Sequence, residues 1–400
     1  MKKAAAAVLL AFLLGLPAFL FFWNENRSPQ RDDASRDKLT EKRKHDLQQG
    51  AAWPMFHGGQ RLLGSTSDAL PDELSLYWKF KTGGEVASSA ALCDGRAYVG
   101  SEDGNLYALD LASGQEIWRF SAEDAIESSP CVLDGAVYVG SSDHYLYAIQ
   151  AADGALKWKY KTGNRILGGV NWVRLQGENC PYILVGSYDK KLHCVNSETG
   201  KPEWIYATDH YINGAPAVRG DFVVIGGCDN MIHIVSDKNG EVVARVNAGS
   251  YIAASPVFEG NRVYIGQFVG EFLCIDAFTR EILWRYEGKE PIFSTAALIG
   301  DRLVFGGHDK NLHCLNTKTG EPIWMFRTRA KIESSPAIAE DKVIVGSDDG
   351  RLYLVRLSDG KELWSYEIGA PISSSPAAAY GRVVVGSEDG NVYAFGPKID

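Results

Sequence analysis

The chain has 400 residues, of which 45% are hydrophobic and 11% aromatic, so it can bury a large core without relying on disulfide bonds. Its net charge of -9 at pH 7 is spread along the chain, which leaves no basic stripe to follow a phosphate backbone and excludes nucleic acid as an expected partner. Glycine is abundant, with 42 residues against 15 prolines, and this favours tight turns between short strands in an all-β protein.

The first segment of the chain is apolar. After Lys2 and Lys3, residues 4–23 carry no charge, and a helix of this length spans the roughly 30 Å hydrocarbon core of a bilayer. The nearest signal-peptidase site, at Leu16 to Ala18, has leucine where a small residue is required, so the pattern favours an uncleaved signal anchor over residues 1–23. Residues 24–50 are charged and nearly free of large apolar side chains, and they are predicted to form a solvated linker.

Three features bear on the side of the membrane on which the rest of the chain lies. Six arginines and lysines between Arg27 and Arg43 outnumber the two lysines before the span, which favours the cytoplasm. The seven cysteines are an odd number without a close pair, unlike a disulfide framework, and favour the same side. The short lysine-bearing N-terminus instead resembles a signal sequence and favours export.

A repeat organises the remainder of the chain. Tryptophans recur every 40 residues with one interval of 46, and the vacant position in this series is Ala244. A glycine series with the same spacing has eight members and no gap, so the chain contains eight units. The tryptophans are Trp78, Trp118, Trp158, Trp204, Trp284, Trp324 and Trp364, and the glycines are Gly100, Gly140, Gly186, Gly226, Gly266, Gly306, Gly346 and Gly386.

Each unit contains four short β-rich runs separated by turn residues. In the first unit the breaks are Asp94-Gly95, Asp103-Gly104 and Ser113-Gly114, pairs that tolerate the positive φ angles of tight hairpins. A four-stranded sheet cannot bury both of its faces alone, so a period near 40 predicts sheets stacked radially around an axis, as in a propeller.

The last unit stops after three strands, whereas the strand around Trp78 has no unit before it, so this N-terminal strand is predicted to complete the last blade. We therefore predict an all-β, eight-bladed β-propeller of four-stranded antiparallel blades over residues 74–400, closed by the N-terminal strand and preceded by one transmembrane helix. Residues 51–73 are expected to form an N-terminal extension on the propeller rim. The long interval places extra residues near Gln176 to Pro181, in the first hairpin of blade 3.

The motifs of the repeat resemble a known family. The run Asp110 to Trp118, Ser128-Ser-Pro130 and Val137-Tyr-Val-Gly-Ser141 are similar to the pyrroloquinoline-quinone (PQQ)-type propeller repeat. The resemblance implies that each tryptophan docks between neighbouring blades, where a buried indole excludes about 150–250 Å² from water. The family includes quinoprotein dehydrogenases, which bind PQQ and calcium, and non-enzymatic propellers such as the lipoprotein of the outer-membrane barrel-assembly machinery.

This chain resembles the non-enzymatic group, because it lacks the adjacent cysteines and the long insertions of the dehydrogenases. The resemblance thus implies no catalytic residue, no cofactor and no metal. Together with the apolar segment, it predicts a monomer that is attached to the inner membrane by its N-terminal helix, has its propeller on the periplasmic side, and binds envelope or membrane proteins. No cysteine lies directly after the apolar segment to carry a lipid, which departs from the lipoprotein and leaves the specific partner open.

Two sets of side chains recur at equivalent positions of the repeat, and we interpret both as serving the fold. Seven aspartates occupy one turn position, which is also compatible with calcium, but aspartate is normal in such turns and separate blades do not converge on one ion. Three histidines occupy a strand position that is tyrosine in other blades, so they are expected to pack within the strands. The aspartates are Asp103, Asp143, Asp189, Asp229, Asp309, Asp349 and Asp389, and the histidines are His193, His233 and His313.

The loops that enter successive blades and the hairpins between second and third strands share one face of a propeller, and here their composition is uneven. Aromatic, amide and imidazole side chains with one arginine collect in blades 3 to 6, a composition typical of protein and ligand anchor sites. These residues are Arg165, Tyr188, His210, Tyr211, Asn213, Tyr251, Gln267, Phe268, Phe293 and His308, with Cys228 among them. The other blades carry Glu85, Glu102, Asp124, Glu127, Glu333, Asp348 and Glu388.

We expect the aromatic set to bind a partner, although the same side chains would also suit a plug in the mouth of the central channel. The leading functional hypothesis is a non-catalytic, membrane-anchored scaffold for protein interactions in the cell envelope. The alternatives are a sensor or carrier that binds a small ligand in the funnel, and a PQQ-dependent oxidoreductase.

Overall fold

The structure is a computed structural model that describes residues 51–398. The signal anchor and the linker predicted over residues 1–50 lie outside these residues. Within residues 51–398 no helix is both long enough and apolar enough to cross a membrane.

Thirty-three strands and one 3-10 turn, Phe56–Gly58, make up the regular structure of the described residues. Two strands precede the blades: β1 (Ser65–Thr66) and β2 (Ser75–Lys81). Blades 1 to 4 consist of β3 (Ala91–Cys93), β4 (Arg96–Gly100), β5 (Asn105–Asp110), β6 (Glu116–Ser121), β7 (Cys131–Leu133), β8 (Ala136–Gly140), β9 (Tyr145–Gln150), β10 (Leu156–Lys161), β11 (Asn171–Val173), β12 (Tyr182–Ser187), β13 (Lys191–Asn196), β14 (Pro202–Ala207), β15 (Ala217–Arg219), β16 (Phe222–Gly226), β17 (Met231–Ser236) and β18 (Val242–Asn247). Blades 5 to 8 consist of β19 (Val257–Glu259), β20 (Arg262–Gly266), β21 (Glu271–Asp276), β22 (Ile282–Glu287), β23 (Ala297–Ile299), β24 (Arg302–Gly306), β25 (Asn311–Asn316), β26 (Pro322–Arg327), β27 (Ala337–Ala339), β28 (Lys342–Gly346), β29 (Arg351–Arg356), β30 (Glu362–Glu367), β31 (Ala377–Ala379), β32 (Arg382–Ser387) and β33 (Asn391–Gly396).

The strands form eight antiparallel sheets in which the four strands of a blade lie side by side in chain order. In blade 8 the fourth place is taken by β2, which pairs antiparallel with β33, so that Trp78 lies opposite Ala394. The predicted eight-bladed propeller and its closure by the N-terminal strand are therefore confirmed. Joining the two ends of the chain in one sheet removes the open edge that an incomplete blade would expose.

Tryptophans link consecutive blades. The indole Nε1 of Trp78 donates a hydrogen bond of 3.0 Å to the carbonyl of Leu111, in the last turn of the next blade. Five further tryptophans, Trp118, Trp158, Trp204, Trp284 and Trp324, make the same bond at 2.8–3.1 Å. Trp364 faces blade 8, where the fourth strand comes from the N-terminus, and it packs against Phe395 with ring centroids 5.5 Å apart.

The N-terminal extension follows the innermost strands of the blades. We call residues 53–68 the strap, because main-chain hydrogen bonds fasten it to one blade after another. Trp53 pairs with Leu92 of blade 1, and the carbonyl of Arg61 accepts from the N–H of Phe258 in blade 5 at 3.0 Å. In blade 7, β1 adds to the sheet as a fifth strand, parallel to β27. The hydrogen bonds of this extension run to the inner strands, whose free edges supply donors and acceptors there.

Candidate functional site

In every blade, the loop that enters the blade, here called the junction, is hydrogen-bonded to the hairpin between its second and third strands, here called the second hairpin. Glu102 donates its N–H to the carbonyl of Glu85 in blade 1 at 2.9 Å, and Phe268 donates to Tyr251 in blade 5 at 3.0 Å. Because this bond recurs in all eight blades, it places junction and second-hairpin side chains next to each other around one face of the propeller.

The repeated aspartates hold these hairpins together. In blade 1, Asp103 accepts hydrogen bonds from the N–H of Gly83 and from the hydroxyl of Tyr107, both at 2.6 Å, and from the N–H of Asn105 at 2.9 Å. In blade 6, burial alone would raise the pKa of Asp309, but hydrogen bonds from His313 and Asn311 outweigh it and lower that pKa to about 2. These carboxylates therefore act as turn acceptors within single blades.

The three histidines extend the same network between blades. His233 is buried, with Nε2 at 3.1 Å from Asp229 in its own blade and Nδ1 at 2.9 Å from the hydroxyl of Tyr206 in the preceding blade. His193 and His313 have equivalent contacts. The described residues include no group of three histidine, cysteine, aspartate or glutamate side chains arranged to hold a metal ion.

Blade 5 departs from this pattern. Its second hairpin has Val269 in place of the aspartate and Leu273 in place of the tyrosine or histidine. Without the carboxylate, the N–H of Gly249 turns to the side chain of Asn247, at 2.8 Å. Val269 is 53% exposed, so the hairpin that lost its polar anchor presents an apolar side chain to solvent. Val269 is not among the residues predicted from the sequence, although its position in the aspartate series distinguishes it.

Eight of the ten predicted partner-binding residues form a continuous row, which we call the aromatic arc. Its members are Arg165, Tyr188, Tyr211, His210, Tyr251, Phe268, Phe293 and His308, in order of contact. The row starts with the guanidinium of Arg165 at 4.3 Å from the ring centroid of Tyr188, which stacks on Tyr211 at 4.7 Å. Further ring contacts at 4.4–6.4 Å carry it to His308.

The most exposed aromatic side chains of the arc lie on blade 5. Tyr251 is 54% exposed and Phe268 47%, and both flank Val269 on the same junction and hairpin. The remaining two predicted residues are placed differently. Asn213 lines the central channel, and Gln267 is fully buried with neither side-chain amide atom hydrogen-bonded to a described residue.

The other half of the face is acidic. We define the acidic arc as Glu85, Glu102, Glu127, Glu333, Asp348 and Glu388. Burial, together with the charges of Glu85, Glu127 and Glu388, raises the pKa of Glu102. Lys331 contacts Glu333 and Asp348, whereas the other four carboxylates have no ion pair among residues 51–398. The arc therefore carries uncompensated negative charge.

The central channel opens between the two arcs and is small. Its cavity of about 180 Å³ is lined by Phe56 of the strap and by hydroxyl side chains that include Ser89, Ser129 and Thr295. Several of these hydroxyls accept a main-chain N–H of the preceding blade, as Ser129 does from Ser89 at 3.2 Å. Ligand pockets usually measure about 300–1,000 Å³, so the channel is narrow for a cofactor-sized molecule.

The repeat, the closure and the docking tryptophans define the chain as an eight-bladed propeller of the PQQ type. The family model described as outer membrane protein assembly factor BamB matches residues 71–180, 177–243, 228–305 and 290–398. The chain belongs to this family. No curated protein sequence matches the chain.

Solved structures share the fold at low sequence identity. BamB from Moraxella catarrhalis has a TM-score of 0.69 at 17% identity, over 81% of this chain and all of that one. A europium-containing methanol dehydrogenase has a TM-score of 0.72 at 14% identity, over 90% and 100% of the two chains. The quinohemoprotein alcohol dehydrogenase from Comamonas testosteroni has a TM-score of 0.73 at 13% identity, over 92% and 84%.

The dehydrogenase likeness raises the question of whether the channel fits PQQ. This cofactor is a flat quinone with several carboxylate groups, so its site needs cationic side chains or a metal to balance them. Glu127 is the one charged residue among the described residues that line the channel cavity, and its charge has the same sign as the cofactor. The lining does not fit PQQ, and we derive no reaction step through it.

Proposed function

We propose that this chain is a non-catalytic scaffold of the cell envelope that binds a protein partner through the aromatic arc, with blade 5 at its centre. The family description as an outer-membrane protein assembly factor supports an envelope role. The apolar segment over residues 1–23 supports a single-pass anchor in the inner membrane. The family likeness and the lysine-bearing N-terminus support a propeller on the periplasmic side, and we propose that it is a monomer.

The observation that carries this proposal is the altered second hairpin of blade 5. Each of the seven other blades has an aspartate at this position, whereas blade 5 exposes Val269 between Phe268 and Tyr251. Burying three such side chains against a partner removes apolar surface from water, and aromatic anchors of this kind dominate the binding energy of protein interfaces. The plug interpretation explains this exposure poorly, because a channel plug points its side chains inward.

Site-specific photo-crosslinking in intact cells tests the proposal. Photoreactive residues at Tyr211 and Phe268 should capture envelope proteins, while probes at Glu102 and Glu388 on the acidic arc serve as matched positions on the same face. Adducts from the first pair alone would support the scaffold and identify its partner. The absence of protein adducts at all four positions would contradict it and favour a small ligand.

Alanine substitution separates binding from channel plugging. Replacing Tyr211, Tyr251 and Phe268 by alanine should abolish the adducts of a photoreactive residue placed at the neighbouring Val269, while leaving the melting temperature of the propeller nearly unchanged, because the three replaced side chains are 37–54% exposed. A large loss of stability with unchanged crosslinking at a neighbouring probe would mean that the side chains serve the fold.

A further inference from the structure

A second cavity lies at the opposite end of the strands from the aromatic arc, where the strap crosses blade 4. It measures about 360 Å³ and is bounded by strap residues 57–61, Leu63 and Ser65 on one side and by the first hairpin of blade 4, residues 218–220, on the other. This site is independent of the proposed scaffold function.

The strap is held firmly on both sides of this cavity. The carbonyl of Gln60 accepts the N–H of Val218 at 2.8 Å, and the side-chain amide of Gln60 donates to the carbonyl of Trp172 at 2.8 Å. One residue further, Arg61 accepts from Phe258. The cavity wall is therefore preorganised by hydrogen bonds to blades 3, 4 and 5.

The charge of the cavity is positive. Arg61 and Arg219 line it, and no carboxylate does. Arg61 is paired with Glu259, whereas the guanidinium of half-buried Arg219 has only an aromatic neighbour, Phe258, at 5.7 Å from the ring centroid. Within residues 51–398, Arg219 has no ion pair and no side-chain hydrogen bond. A half-buried guanidinium without an acceptor is poised to bind an anion.

Main-chain donors lie beside these arginines. The N–H groups of Gly59, Gln60 and Arg61 have no acceptor among the described residues. Gly59 and Gln60 are half-buried and Arg61 is exposed, so a ligand in the cavity can reach these donors. A Cβ atom placed on Gly59 or on Gly220 would meet nothing within 4 Å, so the backbone is open on the side where a side chain would project.

The strap also contributes a buried imidazole at the edge of this cavity. His57 is 3% exposed, its Nδ1 lies 3.2 Å from the carbonyl of Leu62, and its Nε2 has no partner among the described residues. Burial lowers the pKa of His57 to about 4, so the ring is neutral at pH 7. With its proton on Nδ1 facing Leu62, Nε2 is left as an acceptor for a hydroxyl group.

We propose that this cavity binds a small oxyanion, the phosphate or carboxylate group of a ligand, between Arg219 and the main-chain donors of the strap at Gly59 to Arg61. Arg219 supplies the charge, the N–H groups orient the oxygens, and a ligand hydroxyl is accommodated on the His57 side. Occupancy fastens the strap to blade 4 and stabilises the folded chain by mass action.

The test is thermal unfolding of the full-length chain in detergent, titrated with inorganic phosphate and, separately, with acetate, against chloride at equal ionic strength. The melting temperature should rise and saturate with one or both anions, and the comparison shows whether phosphate or carboxylate is preferred. Arg219→Gln should weaken this response roughly tenfold to a hundredfold, the loss expected for one charge-assisted hydrogen-bonding group.

Two further variants keep the test decisive. Arg219→Lys retains the charge and should retain a weakened response, while Arg174→Gln removes an arginine from the first hairpin of blade 3, outside the cavity, and should change nothing. In ¹⁵N-histidine spectra, the imidazole signals of His57 should shift along the same titration curve. Equal responses in wild type and Arg219→Gln, or no saturable response in wild type, would overturn the proposal.

Discussion

Arg280 of blade 5 and Ala244 of blade 4 occupy facing positions. Arg280 stands where six other blades have glycine, and Ala244 stands where the other blades have the docking tryptophan. The two departures belong together. A Cβ atom on Gly240 would approach the ring of Trp204 to 2.5 Å, so a docked tryptophan requires glycine in the next blade. Between blades 4 and 5 both the tryptophan and the glycine are absent. Phe222 packs there against Phe278, with ring centroids 5.4 Å apart.

This pairing predicts a non-additive mutant cycle. Ala244→Trp alone should destabilise the propeller by about 1–3 kcal/mol, because the indole meets the side chain of Arg280. Arg280→Gly alone should have a small effect, since Arg280 already has a positive φ of 68°. The double variant should be more stable than Ala244→Trp. Urea unfolding measures all four proteins, and strictly additive free energies would refute the pairing.

The altered hairpin of blade 5 predicts a variant that separates folding from binding. Val269→Asp restores the residue found in the other seven blades, and its carboxylate should accept the N–H groups of Glu271 and Gly249. The melting temperature should therefore stay the same or rise slightly. Binding of the crosslinked partner should weaken at least roughly tenfold, the loss of one interface anchor.

Leu283 provides the matched control for this variant. It lies on the outer strand β22 of the same blade and is 41% exposed, yet it is outside the aromatic arc. Leu283→Asp adds the same charge to the same blade and should leave partner binding unchanged. If Leu283→Asp weakens partner binding as much as Val269→Asp does, then binding depends on the charge of blade 5 and not on the second hairpin.

The carboxylate of Asp309 predicts an acid-sensitive contribution to stability. Its pKa in the folded chain is about 2, below the ordinary value of 3.8, so folding favours the ionised form. This stabilisation is fully present above about pH 4 and is lost as the pH falls towards 2. Asp309→Asn should lower the unfolding free energy by about 1–3 kcal/mol at neutral pH.

Denaturant titrations of wild type and Asp309→Asn between pH 6 and pH 2 measure this effect, and the two curves should converge at the acid end. Asp134→Asn is the control, because Asp134 is 61% exposed and its carboxylate pairs with Arg174 at 3.4 Å. A constant difference between wild type and Asp309→Asn over the whole range would show that ionisation of Asp309 contributes nothing.

The buried imidazole of His57 predicts a second pH dependence of stability, at a higher pH than that of Asp309. The folded chain lowers the pKa of His57 from 6.5 to about 4 by burial, so protons bind the unfolded chain more readily. The neutral ring makes its full contribution to the free energy of unfolding above pH 6.5. This contribution falls as the pH drops to about 4, by up to roughly 3 kcal/mol. His57→Asn should flatten this slope, because asparagine tolerates the positive φ of this position without titrating.

The matched control is His144→Asn, which removes a half-buried histidine that also has a positive φ, of 75°. Its curve between pH 7 and pH 4 shows how much of any change comes from replacing a histidine by asparagine at a position of positive φ. If His57→Asn follows the wild type, then the strap does not couple protonation to unfolding.

The architecture could be predicted from the sequence because it depends on local and periodic signals. Turn pairs such as Asp94-Gly95 mark hairpins wherever they occur, and Trp78 identifies a strand without a preceding unit, which completes the last blade. The composition of the arc residues can likewise be read from equivalent positions of the repeat. Their placement on one face follows from the alternation of strand directions, which the sequence also determines.

The tertiary structure decided what depends on contacts between distant parts of the chain. The strap reaches Leu92, Phe258 and Ile338 through its main chain, and no side-chain pattern reports such bonds before the blades are assembled. The continuous stacking of the aromatic arc and the burial of Gln267 depend on the spacing of blades around the axis. The repeat in the sequence therefore determined the blades and their order, whereas the strap path, the exposed hairpin of blade 5 and the cavity beside Arg219 required packing in three dimensions.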